Sequence, residues 1–174
     1  MKVKLRKCPC CGNYTLWDKC FGICNVCFWE CGDIENDPTR YHPDVPDGAN
    51  DVSLTQARRN YQTFGAMSQR LRPFVALPEE YERTESDEPY IIVDIQPPDM
   101  EELKRRMTAV LDGRMTRSHL AAWAERFIDC GILPEGENHA EIEWTLRQIM
   151  LITSDDDEAK DNCDIREWLE KIEQ

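Results

Sequence analysis

At 174 residues the chain has room for one domain or two small ones, and a hydrophobic fraction of 41% is enough for a packed core. Its formal net charge of −13 is unevenly placed: residues 1–85 carry 11 Lys/Arg against 12 Asp/Glu, and residues 86–174 carry 10 against 22. An acidic second half repels phosphate backbones, and no apolar run is long enough to cross a membrane as a helix. Nine cysteines first suggest a secreted scaffold. No apolar segment follows the basic start MKVKLRK, however, so a cytoplasmic, reducing compartment is expected, with metal rather than disulfides.

Val3 and Leu5 alternate with basic residues, which predicts a short strand. Next come Cys8, Cys11, Cys24 and Cys27, spaced C-x2-C-x12-C-x2-C. That is the ligand spacing of a small zinc ribbon or knuckle. Four thiolates close a tetrahedral shell around Zn2+ and leave no open position, so the expected site is structural. The same spacing suits iron in a rubredoxin-like site, and a single C-x-x-C pair can serve thiol redox chemistry. Cys10 is read as a spacer pointing away from the metal. Tyr14–Trp17 and Phe21–Ile23 are expected to form a hairpin joining the knuckles, with Phe28 and Trp29 packed over the site.

Residues 36–50 are rich in turn signals and read as an ordered loop. Ser53 to Gln56 has a capping pattern, with Leu54, Ala57, Tyr61 and Phe64 on one helical face and Gly65 as the stop. Residues 66–78 read as an extended apolar arm. The charged stretch at 81–89 reads as a linker, dividing the chain into a zinc-binding domain at 1–80 and an acidic domain at 90–174. The second domain is predicted to open on a strand at Tyr90–Ile95. Four amphipathic helices follow, capped near Asp99, Thr116 or Ser118, Asn138 and Asp164. The fold class expected is α+β: a zinc ribbon or knuckle module with one helix, then a mostly α-helical domain with one N-terminal strand.

The N-terminal half resembles the bacterial cysteine-rich CPCC family. The motifs are Cys-Pro-Cys-Cys-Gly at 8–12, Tyr14-Thr15-Leu16, Cys24-x-Val26-Cys27-Phe28-Trp29-Glu30 and Val52-Ser53-Leu54-Thr55-x-Ala57-Arg58. The resemblance implies a zinc-binding fold and little about mechanism. Cys20 and Cys31 depart from the pattern as potential competing ligands. The second half is similar to small helical domains of bacterial immunity proteins, through Leu111–Arg117, Ala122-Trp123-Ala124, Trp144-Thr145-Leu146 and Ile165–Leu169. That resemblance implies a cytosolic inhibitor that binds a cognate toxin.

No nucleophile elbow, phosphate loop or H-E-x-x-H motif appears, so a non-enzymatic role is expected. His42 stands in a Pro-rich loop, and His119 and His139 stand at helix starts, where they read as surface residues. The expected function is an immunity protein that docks 1:1 on a basic toxin domain. Asp99, Glu101, Glu137, Trp144, Asp155, Asp156 and Asp157 are its candidate contacts. The alternative is a zinc-ribbon nucleic-acid or transcription-associated regulator, drawing on Lys2, Lys4, Arg6, Lys7, Arg58 and Arg59.

Overall fold

The computed structural model describes residues 1–17, 22–31, 42–46, 48–136, 138–153 and 162–172. The architecture is α+β, in two compact units: Lys2–Asp94, and Ile95–Gln174 with Met1.

In the first unit, strand β1 (Lys2–Arg6) pairs antiparallel with β2 (Leu16–Trp17) on one side and β3 (Tyr90–Asp94) on the other. The alternation predicted for β1 holds: Val3 and Leu5 are buried while Lys2 and Lys4 face solvent. Leu5 lies opposite both Trp17 and Ile91. The expected hairpin is therefore corrected. Leu16–Trp17 pairs with β1, and Ile23 bridges Glu30 instead. Both residues of β2 are buried, and β1 supplies the apolar cross-strand neighbour that a two-residue strand needs. Phe21 lies outside the described residues.

The boundary between units also differs from the expectation, falling after Asp94 rather than in 81–89. Charge made that segment look solvated, but its backbone is tied down. The Tyr14 amide donates to the Glu82 carbonyl at 2.9 Å. The Tyr14 hydroxyl bonds the carbonyls of Ser86 (3.0 Å) and Glu88 (2.6 Å). Lys7 reaches the Ser86 carbonyl through its ammonium and the Pro89 carbonyl through its amide. Glu82 itself is fully buried and accepts from the Glu79 amide, closing a capping box on a 3-10 turn at Glu80–Arg83. The strand expected to open the second domain thus completes the sheet of the first.

Helix α1 (Leu54–Phe64) is capped as predicted. Ser53 accepts from the Gln56 amide, and Gly65 takes the left-handed conformation at φ 81°. Leu54 and Ala57 are buried, and Tyr61 and Phe64 are half-buried. The following arm is not extended: Gln69–Phe74 forms a 3-10 helix. It brackets the second cysteine pair, with the Met67 amide donating to the Cys27 carbonyl (2.7 Å) and the Ala76 amide to the Asn25 carbonyl (2.8 Å).

The second unit is helical: α2 (Met100–Leu111), α3 (Arg117–Asp129), α4 (His139–Met150) and α5 (Asn162–Ile172). Helix α3 packs on α4, and α2 on α5. The predicted stripes supply the core. Leu103, Met107, Leu120, Leu146, Ile149 and Ile165 are fully buried, while Leu111, Ile128, Met150, Leu169 and Ile172 are half-buried at its edge. Asp99 and Thr116 cap α2 and α3 through their side chains. Asn138 does not cap α4 this way; at φ −99° and ψ 11° it contributes its carbonyl, which accepts from Ile142. Helix α5 is already formed two residues before Asp164.

A buried cation joins α2 to α3. Arg106, with its side chain 8% exposed, bonds Glu102 at 2.7 Å and lies 4.5 Å over the Trp123 ring. A guanidinium here keeps its charge paired while its flat face covers an aromatic surface. No described helix is long and apolar enough to cross a membrane.

Candidate metal centre

Cys8, Cys11, Cys24 and Cys27 converge, with their sulfur atoms all within 4.8 Å of one another. Cys8 lies 3.6 Å from Cys27, and Cys11 3.7 Å from Cys24. Tetrahedral thiolate zinc with bonds of about 2.3 Å places sulfurs about 3.8 Å apart, so the donor set fits a tetrahedral ion. Cys8, Cys24 and Cys27 are buried, and Cys11 is half-buried.

Two matching turns build the cluster. In the first, the Gly12 amide returns to the Cys8 carbonyl (3.0 Å), and the Cys8 amide to the Asn13 carbonyl (2.8 Å). In the second, the Phe28 amide returns to the Cys24 carbonyl (2.6 Å), and the Cys24 amide to the Trp29 carbonyl (2.9 Å). Each turn needs a left-handed residue directly after its second cysteine. Gly12 meets this at φ 80°, whereas Phe28 occupies the same place at φ 67°.

A side chain costs about 1–2 kcal/mol in that conformation. Phe28 offsets the cost by packing its ring on the cysteine core and 6.2 Å from the Phe74 ring. Glycine normally destabilises more than alanine, by about 0.5–1 kcal/mol in regular structure. Here the order should invert: Phe28→Gly is expected to be about 1 kcal/mol more stable than Phe28→Ala in denaturant titrations of the metal-loaded protein. An alanine variant as stable as the glycine one would contradict this.

Gly22 serves a close approach on the far side of the second turn. Its carbonyl accepts from the Cys31 amide, and a Cβ there would overlap the Cys31 carbonyl oxygen. Asn50, 2% exposed, clamps Glu30 through both its backbone groups, at 3.0 and 2.8 Å. Trp29 is buried in the core cluster that holds Cys8, Cys24 and Cys27, alongside Leu16, Leu54 and Met67. Packing of the Phe28–Trp29 pair around the site is as the sequence led us to expect.

The protonation chemistry is that of a crowded buried sulfur cluster. Burial pushes the Cys8 thiol up. Contact with Cys10, and then with the other three cluster sulfurs, pushes Cys27 up. Contacts from Cys24 and Cys27 hold Cys11 down. A divalent cation relieves this crowding, because its charge replaces the retained protons. Bound there, zinc would act as a fourfold cross-link between the two turns, with no position left for substrate.

Cys10 does not point away as expected; it is 7% exposed and bears on Cys27. It is nevertheless outside the four-sulfur group, and so is Cys31. Cys20 lies outside the described residues. Two neighbours of the cluster were not singled out from sequence. Thr15, 3% exposed, donates its hydroxyl to the Cys24 sulfur at 2.9 Å. Asn13 donates to the Tyr61 hydroxyl at 3.3 Å; burial and then the Cys11 charge raise that phenol above its ordinary pKa.

The candidate partner contacts belong to the other unit. Asp99 is exposed, but its carboxylate already caps α2 by accepting from the Glu102 amide at 2.8 Å. Glu101 is exposed on the first turn of α2. Trp144 is 40% exposed, with its ring against Trp168 (6.4 Å, edge-on) and under the Lys171 ammonium at 4.3 Å. Glu137 and Asp155, Asp156 and Asp157 lie outside the described residues. Cys163 is exposed and Cys130 is buried.

Residues 6–82 match the family model described as Cysteine-rich CPCC. The matched segment carries the four-cysteine cluster able to hold a metal ion. The match ends before β3 and does not reach the helical unit. No curated protein and no solved structure matches the chain.

Proposed function

We propose that this protein works by binding another protein, and that it is an immunity protein occupying the basic cleft of a cognate toxin. Zinc in the four-cysteine site is its structural staple, and the acidic helical unit supplies the docking surface. The observation that carries the reading is the placement of charge: 22 Asp/Glu against 10 Lys/Arg in residues 86–174, with near balance before them. Toxins acting on nucleic acid present basic clefts, and an acidic inhibitor reaches such a cleft quickly through electrostatic steering.

Two further points support it. A closed thiolate set offers no substrate position, in keeping with a non-enzymatic role. The exposed part of Trp144 supplies an aromatic anchor of the kind found at interface centres. Glu101 is a better probe of the surface than Asp99, because reversing Asp99 also removes a helix cap.

The test is co-expression with the toxin domain encoded beside this chain. We expect rescue of growth and a 1:1 complex whose association slows with salt. Charge reversal at Glu101 together with Asp155 and Asp156 should slow association about tenfold. Absence of both rescue and complex formation would overturn the reading, and submicromolar nucleic-acid binding at physiological salt would replace it with the regulator.

A further inference from the structure

We propose that Thr15 is a positioning residue of the metal centre: its hydroxyl holds the Cys24 sulfur in place and so sets the strength of the whole site. The inference rests on the cluster holding a metal and concerns this chain's own means of tuning it.

The geometry is specific to one sulfur. Thr15 stands directly before β2, a strand locked against β1. Its backbone is held between the first cysteine turn, closed at Asn13, and the sheet, which begins at Leu16. From there the hydroxyl donates across to Cys24 at 2.9 Å, and both groups are buried, at 3% and 0% exposed. A buried hydroxyl must donate to something. A neutral thiol is a weak acceptor, whereas a hydrogen bond to an ionised group is about twice as strong as a neutral one. The Thr15 bond therefore gains most when Cys24 is a thiolate, the state a bound metal requires.

The consequence runs in both directions. With metal bound, the hydroxyl withdraws charge from Cys24 and holds the sulfur in place. Without this donor, Cys24 would be a more electron-rich and less constrained ligand. Partners of this kind typically contribute about 10–100-fold in metal affinity. Serine can make the same bond and valine cannot, although valine keeps the shape.

The experiment uses the full chain loaded with Co2+ and, separately, with Zn2+. Thr15→Val is expected to move the sulfur-to-cobalt charge-transfer bands to lower energy and to weaken zinc binding about tenfold or more in chelator competition. Thr15→Ser should keep the wild-type bands and stay within about twofold in affinity. Wild-type bands and affinity in Thr15→Val would overturn the proposal, as would a Thr15→Ser variant that behaves like valine. A wild-type chain without thiolate–cobalt bands would instead fail the metal reading on which the proposal stands.

Discussion

Replacing Cys24 or Cys27 with serine is expected to abolish stoichiometric metal binding and to unfold the sheet and α1 of the first unit. Serine keeps the size of the side chain but not the thiolate that closes the shell. Structural zinc supplies on the order of 10 kcal/mol to a small domain, comparable with the whole stability of many domains, about 5–15 kcal/mol. Both cysteines are fully buried among Leu16, Val26, Trp29 and Leu54, so no solvent-exposed rearrangement can substitute for the lost ligand. Cys10→Ser provides the contrast. It places a hydroxyl at a 7% exposed position, at a cost of about 1–3 kcal/mol if unpaired, but leaves the four ligands intact. Metal analysis and circular dichroism on the three variants distinguish them: Cys10→Ser should retain one metal per chain. Equal loss of metal from all three would make Cys10 a ligand.

The second large effect concerns where the first unit ends. A chain stopped at residue 80 should fail to fold cooperatively, and a chain stopped at residue 94 should fold and load metal. The shorter piece lacks β3 and with it the full register from Lys2 opposite Asp94 to Arg6 opposite Tyr90. It also removes the carbonyls of Glu82, Ser86 and Glu88 that Tyr14 bonds, while leaving Tyr14 itself in place. Each lost bond costs about 1 kcal/mol, and stranded buried groups cost more. Their sum exceeds what a domain of this size can lose. Matching denaturant transitions for the two fragments would contradict the placement of 81–94 in the first unit.

The contrast between those segments explains how much could be read from sequence. Spacing alone singled out the four cysteines whose sulfurs converge, because tetrahedral thiolate coordination leaves few arrangements of two short turns. Helix starts at Asp99 and Ser53 were legible, and that of α3 was narrowed to Thr116 or Ser118, for a similar reason: a cap is a local interaction between one side chain and an amide three residues on. The segment 81–89 was misread because its composition is that of a solvated linker. What holds it is backbone carbonyls captured by Tyr14 and Lys7, some 70 to 80 residues away. Side-chain pattern carries no record of such contacts. β3 was recognised as a strand, but its partner β1 lies at the other end of the same unit and no periodicity names it.

The site shows the same division. Cys10 and Cys11 are adjacent, and the C-x2-C spacing from Cys8 selects Cys11. The spacer reading turned the Cys10 side chain away from the metal, whereas it is buried against Cys27. Thr15 was visible as part of the Tyr14-Thr15-Leu16 motif but had no chemical role until β2 placed its hydroxyl on Cys24. Phe28 occupies a position where glycine would be expected, and nothing in the sequence reveals a left-handed backbone there.

The central claim is that Cys8, Cys11, Cys24 and Cys27 together hold one structural metal ion. Native mass spectrometry of the intact chain, combined with thiol alkylation before and after chelation, tests it most directly. The account predicts one zinc per chain, with those four cysteines slow to alkylate until the metal is removed and reactive afterwards. A chain free of metal under native conditions, or one whose four cysteines alkylate at the same rate with and without chelator, would contradict it.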